Sequence, residues 1–210
     1  EIAAADAIVG DLIAELKRLE VYDRAIVVLL SDHGEGLLDH GEQEHGIFLY
    51  REALQVPLIL KLPGAQRAGA TVKAAAQLVD VHATLLALAG IAAPTRHDGE
   101  NLLELEPAGA PQRRHYAETY YPRLHFGWSE LTSLIAGSSH LIFGPDPELY
   151  DLGKDPSERS NLRADERRQF AEMRAVLQGF ETPLARPAQE SEETAKQLAA
   201  LGYLGGLAAD

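Results

Sequence analysis

The stretch VVLLSDHGEGLLDHGEQEHG, residues 27–46, passes from an apolar run into Ser31-Asp32-His33-Gly34. His40 and His45 follow, each before a glycine, with Glu35, Asp39, Glu42 and Glu44 among them. The run from Ala25 to Ser31 is β-branched and Leu-rich. It is too short for a typical helix and predicts a strand covered on both faces, as in a parallel sheet. In open α/β sheets ligands bind beyond the carboxyl ends of the strands, and Asp32 and His33 occupy that place. A carboxylate oxygen and an imidazole nitrogen suit a divalent cation such as zinc, manganese or calcium. Gly34 permits a sharp exit or a close backbone approach. His45 lies twelve residues past His33 and could turn back to present a cation or proton to an oxyanion or a leaving oxygen. His40 is as close to the pair, so spacing alone does not choose between the two. Standing alone, an Asp-His pair at a strand end is more often a turn with a hydrogen-bonded imidazole, and two ligands are too few for a closed metal site. The four carboxylates read as a solvated loop face or as supports for the ligands.

Outward from this loop the elements alternate. Residues 2 to about 19 put Ile2, Ala5, Val9, Leu12, Ile13, Leu16 and Leu19 on one helical stripe. LYREALQ reads as a short helical turn, and VPLILKLPG as a second buried strand closed by Pro63-Gly64. DVHATLLALAGI reads as a helix with Asp80 as N-cap and Gly90 just past its end. Strand and helix in alternation predict an α/β fold. After a loop-rich connector the character changes. HYAETYY, ELTSLIAG and SHLIFG predict a small antiparallel sheet, and Asp165 to about Phe180 an amphipathic helix. A Pro-broken linker leads to a last helix over 190–201.

Composition narrows the function. Of 210 residues, 46% are apolar, enough for a packed core. The formal net charge of -13 argues against nucleic acid or an anionic membrane as partner. An anionic substrate remains compatible, because a bound cation reverses the local sign. With no Cys, disulfides and thiolate chemistry within the chain are excluded. No run approaches the roughly 18 apolar residues of a membrane span, and no signal peptide is visible. The sequence starts inside a predicted helix at Glu1, without Met, and reads as a piece of a longer protein.

Three ordered stretches resemble the sulfatases of the alkaline phosphatase superfamily: VVLLSDHGEGLLDHGEQEHGIFLYREALQVPLIL, QLVDVHATLLALAGI and ELYDLGKDPSERSNL. In the second, His82 stands where Pro is usual; the closing LAALGYLGG is similar to tails of bacterial members. The resemblance runs nearly end to end. It implies the C-terminal part of an alkaline phosphatase-like α/β/α sandwich plus a small antiparallel sheet with a packing helix. The expected division is 1–110 for the C-terminal half of the α/β domain, 111–182 for the sheet-and-helix subdomain, and 183–210 for linker and tail helix. Asp32 and His33 match the pair that completes a single divalent metal site, with calcium, manganese or zinc as the ion. His45 matches the residue that contacts the sulfate or phosphate and helps the leaving group depart. His140 stands where Lys is common. YYPRLHFGWSEL resembles a loop of related bacterial members, which offers Arg123, His125 and Trp128 as substrate contacts; the plainer reading has Trp128 as a core or lid residue and Arg123 as a surface cation.

The family's nucleophile is a formylglycine, or Thr or Ser in phosphoryl-transfer relatives, in an N-terminal segment with an acidic pair of further ligands. No such segment occurs in these 210 residues, so the formylglycine is expected upstream and the chain alone is expected to be inactive. The implied function is a metal-dependent sulfuric ester hydrolase. The alternatives are a phosphoester or phosphonate hydrolase or phosphoethanolamine-type transferase of the same superfamily, and a catalytically dead sulfatase-like binding module. A main sheet lacking its N-terminal strands would leave an open edge, through which self-association is expected. Resemblance alone points to a periplasmic or secreted protein.

Overall fold

A computed structural model describes residues 2–72, 74–95, 98–105 and 113–180. The chain divides into two compact units, Glu1–Gly179 and Phe180–Asp210. The predicted linker and the helix over 190–201 lie outside the described residues.

Helix α1 spans Ile2–Arg18 and strand β1 Val27–Leu30; α2, Arg51–Leu54, leads into β2, Leu58–Lys61. β1 and β2 pair antiparallel, with Val27 opposite Lys61 and Leu30 opposite Leu58. The expectation of a parallel strand covered on both faces is thus corrected. An unbroken apolar run marks a strand that packs, but carries no period from which the direction of its neighbour can be read. The coverage differs too: Leu29 and Leu30 are each 39% exposed and Ile59 58%. α1 has no buried residue, and of its stripe Val9, Ile13 and Leu16 are partly covered while Ile2, Leu12 and Leu19 stay exposed.

Helix α3, Val79–Leu88, ends as its sequence requires. Gly90 takes a φ of 67°, which a residue with a Cβ adopts at a cost. The Ile91 amide then reaches back to the Leu86 carbonyl and the Gly90 amide to that of Ala87, satisfying two terminal acceptors. Asp80 is not the N-cap. It sits inside the first turn, fully buried, and accepts the amides of Gln77 at 2.7 Å and Glu100 at 2.9 Å. Arg113 holds the same carboxylate with two bonds of 2.7 Å. Burial works against the charge, but Arg113 and the two amides outweigh it and lower the Asp80 pKa. The pair ties α3 to the start of the second sheet.

That sheet is an antiparallel meander of β3 (Arg114–Thr119), β4 (Leu131–Ala136), β5 (Ser139–Phe143) and β6 (Glu148–Asp151). Between β3 and β4 the chain makes α4, Tyr121–Phe126, where a strand up to Tyr121 and then a loop are expected from the sequence. Pro122, which favours a first helical turn, and Gly127, in the left-handed region at φ 67°, mark its ends. Tyr116, Leu134, Leu141 and Leu149 form a row across the four strands, on one face. Met173 and Leu177 of α5, Arg167–Leu177, close over that row. Each such buried side chain contributes about 1.5–3 kcal/mol relative to exposure. The opposite face carries Ile142 and Tyr150, which pack with Leu49, Tyr50 and Leu54. The sheet therefore serves as a floor for the segment that follows the Asp-His loop.

Candidate active site

Asp32 and His33 emerge directly from β1, both exposed. The His33 amide donates to Asp32 Oδ1 at 3.0 Å, and the Ser31 hydroxyl to the His33 carbonyl at 2.6 Å. His33 Nδ1 lies 2.9 Å from the Gly34 carbonyl, which can only accept, so Nδ1 carries the proton. Nε2 is then the lone-pair nitrogen, 3.7 Å from Asp32 Oδ1. An imidazole whose distal nitrogen is fixed by a carbonyl, beside an exposed carboxylate, is the arrangement metal-binding histidines adopt. The donor set fits a divalent cation as two ligands. Among the described residues no cluster of three His, Cys, Asp or Glu is placed to complete a site.

The loop then folds back on itself. The ring of His45 stacks on that of His33, centroids 3.7 Å apart. Glu35 Oε1 stands 3.3 Å from His45 Nδ1, which leaves Nε2 of His45 turned away from that carboxylate. Of the two histidines that spacing left equivalent, the ring of His45 lies against His33 and that of His40 does not. His40 instead stacks on Tyr50, at 3.7 Å, hydrogen-bonds Glu52 through Nδ1, and reaches the Glu158 carbonyl at 3.2 Å through Nε2.

Two close approaches hold the fold-back. The Gly34 amide donates to the Ala53 carbonyl at 2.8 Å, and a Cβ on Gly34 would lie 1.8 Å from the Glu52 carbonyl oxygen. The Gly36 amide donates to the Glu44 carbonyl at 2.7 Å. Glu42 is the anchor within the loop. Its buried carboxylate accepts the amides of Ile47 at 2.7 Å and Phe48 at 3.0 Å. Glu35 and Glu42 are supports, while Asp39 and Glu44 face solvent.

From the second sheet, Thr119 hydrogen-bonds the Gly46 carbonyl through Oγ1, and the Tyr121 ring lies against Gly46. This brings α4 beside His45. His125 stacks on Tyr121 at 4.1 Å. Trp128 is 60% exposed, so it is not a core residue, and Arg123 pairs with Glu130 at 3.2 Å. His140 is no site residue. It is fully buried, hydrogen-bonded to Glu158 through Nδ1 and lying 3.1 Å from the Ser133 hydroxyl through Nε2. Sequence reasoning missed Glu158 because two of its partners, Arg51 and His40, lie over 100 residues away.

Comparison with known proteins gives the family. The family model described as Sulfatase matches residues 1–91. Arylsulfatase K of Bos taurus is 30% identical over 178 residues, covering 77% of this chain and 32% of that protein. Delta 4,5-hexuronate-2-O-sulfatase of Bacteroides thetaiotaomicron is 31% identical over 169 residues, covering 75% and 34%. A solved structure of a protein in complex with its substrate D-glucosamine-2-N,6-O-disulfate superposes with a TM-score of 0.70 at 28% identity, covering 95% of this chain and 40% of that one. Phosphonate monoester hydrolase of Agrobacterium radiobacter superposes with a TM-score of 0.69 at 25% identity, covering 85% and 40%. The chain thus spans about a third of the length of the curated relatives it matches. With the Ser-Asp-His-Gly loop, the matching family model and these shared folds, the chain belongs to the sulfatase family, on an alkaline phosphatase-like fold.

Proposed function

We propose that the chain contributes one half of the active site of a metal-dependent sulfuric ester hydrolase. The observation that carries this reading is the stack of His45 on His33 beside the exposed carboxylate of Asp32. Asp32 and the lone pair on His33 Nε2 would hold a divalent cation. Such an ion, when bound, would draw charge from the ester oxygens and hold the substrate in place. The Gly34 carbonyl fixes the His33 tautomer, and Glu35 holds the His45 ring with Nε2 facing outward. From there His45 would give a proton to, or offset charge on, the departing alcohol oxygen.

In this reading the nucleophile would be the family's formylglycine, which these 210 residues, with no Cys, do not themselves offer in the family's pattern. The chain alone is accordingly expected not to turn over. Residues 1–110 would form the C-terminal half of the α/β domain, and 111–182 a subdomain that supports the loop. The exposed Leu29, Leu30 and Ile59 of the two-stranded sheet favour self-association of the isolated chain along that edge. Sedimentation should show dimers or larger species; a clean monomer at high concentration would rule the edge contact out.

The likeness to the phosphonate monoester hydrolase favours a second reading, a phosphorus-ester hydrolase with the same loop. A matched aryl sulfate and aryl phosphate, offered to the protein together with its upstream sequence, separate the two. Faster sulfate hydrolysis is expected, and a preference for the phosphate would move the protein to the second reading.

A further inference from the structure

Glu158 ends a turn that the sequence motif ELYDLGKDPSERSNL builds for it. Asp155 Oδ2 accepts the amides of Arg159 and Ser160, both at 2.8 Å. Asn161 Oδ1 accepts those of Leu149 at 3.1 Å and Arg163 at 3.0 Å. Between these anchors Glu158 is held at a φ of 51°, a conformation that disfavours any side chain, and is almost completely buried. A strained, buried acid persists where the surrounding structure over-determines it.

Its contacts run to two places. One oxygen accepts a hydrogen bond from His140 Nδ1, and His140 Nε2 meets the Ser133 hydroxyl on the sheet. The other oxygen accepts the Arg51 amide at 2.7 Å, at the start of α2. The Glu158 carbonyl meets His40, which is bonded to Glu52. The carbonyl oxygen of Glu52 is the atom Gly34 packs against, and the next carbonyl, that of Ala53, receives the Gly34 amide.

We infer that Glu158 is a positioning residue for Asp32, His33 and His45, acting through His40 and the Arg51 amide and touching no substrate. The inference deepens the ester-hydrolase reading and rests on it for the meaning of those three residues. Ser133, His140 and Glu158 are lined up as a hydroxyl, an imidazole and a carboxylate, yet all three are buried. Their arrangement locks the turn to the sheet and is closed to a substrate.

The chemistry of the lock distinguishes two substitutions. In Glu158→Gln the amide oxygen can accept from Arg51. Its NH₂ can donate to His140 Nδ1 if the imidazole proton moves to Nε2 and is given to Ser133. Every partner stays satisfied. Glu158→Ala leaves the Arg51 amide and the His140 ring without acceptors.

The test follows the ring signals of histidine-labelled full-length chain by NMR, with Met173→Ala, under α5, as a control of similar lost stability. Glu158→Ala should shift or broaden the signals of His33 and His45. Glu158→Gln should restore them while His140 changes tautomer, and Met173→Ala should leave them in place. Unshifted His33 and His45 signals in Glu158→Ala, or equal shifts in Met173→Ala, would overturn the inference. If Glu158→Ala does not fold, His40→Ala decides: shifted His33 and His45 signals uphold the inference, unshifted ones overturn it. These signals require no turnover, so a protein that hydrolyses neither ester defeats the hydrolase reading without altering this result.

Discussion

Gly34→Ala is expected to disable the loop and lower stability by more than the roughly 1–3 kcal/mol of ordinary overpacking. The new Cβ would sit 1.8 Å from the Glu52 carbonyl oxygen, 2.8 Å from its carbon and 3.2 Å from the Ala53 Cα. All three are backbone atoms, so no side chain can swing aside. The peptide of α2 must retreat, and with it the 2.8 Å bond from the Gly34 amide to the Ala53 carbonyl. That bond sets where Asp32 and His33 leave β1. Gly10 is the contrasting position: it lies within α1 with nothing within 4 Å of an added Cβ. Gly10→Ala should stabilise by about 1 kcal/mol, the ordinary helix preference. Urea melts of the two variants should move in opposite directions. Equal midpoints would show that the Gly34 contact does not constrain the fold.

His45→Gln should cost about 10²-fold or more in kcat for an unactivated alkyl sulfate, measured on the protein with its upstream sequence. The same variant should lose far less on a nitrophenyl sulfate, whose leaving oxygen needs little help. The reasoning is geometric. Glu35 holds Nδ1 and the ring is seated on His33, so Nε2 is the atom left to meet a departing oxygen. Gln cannot deliver a proton from that place. An equal loss with both leaving groups would mean that His45 positions substrate instead of assisting departure.

Much of the fold could be read from local chemistry. The stripe of α1, the Gly90 stop of α3 and the alternation of the second sheet all follow from period and terminal residues. What escaped is non-local. β1 and β2 are both short apolar runs, and such a run does not encode whether its neighbour runs parallel or antiparallel. β6 was missed because its four residues were absorbed into a motif instead of being weighed as a strand. Asp80 has the residue type of a cap, but its carboxylate serves Arg113. The site divides the same way. Asp32 and His33 stood out as candidates by residue type and strand position, and His45 by the family resemblance. By spacing His40 and His45 were indistinguishable, since it is contacts with Tyr50, Glu52 and Glu158 that draw His40 away. Glu42 and Glu158 act by accepting backbone amides, and no side-chain pattern announces an acceptor of that kind.

Whether the Asp32–His45 loop supplies half of a divalent-metal ester site is decided by aryl sulfate hydrolysis by the whole protein, with and without chelator, for wild type and Asp32→Asn. Chelator should abolish turnover and a divalent ion restore it, and the Asp32→Asn variant should need at least about tenfold more ion for the same rate. Sulfate turnover indifferent both to chelator and to Asp32→Asn would contradict that role.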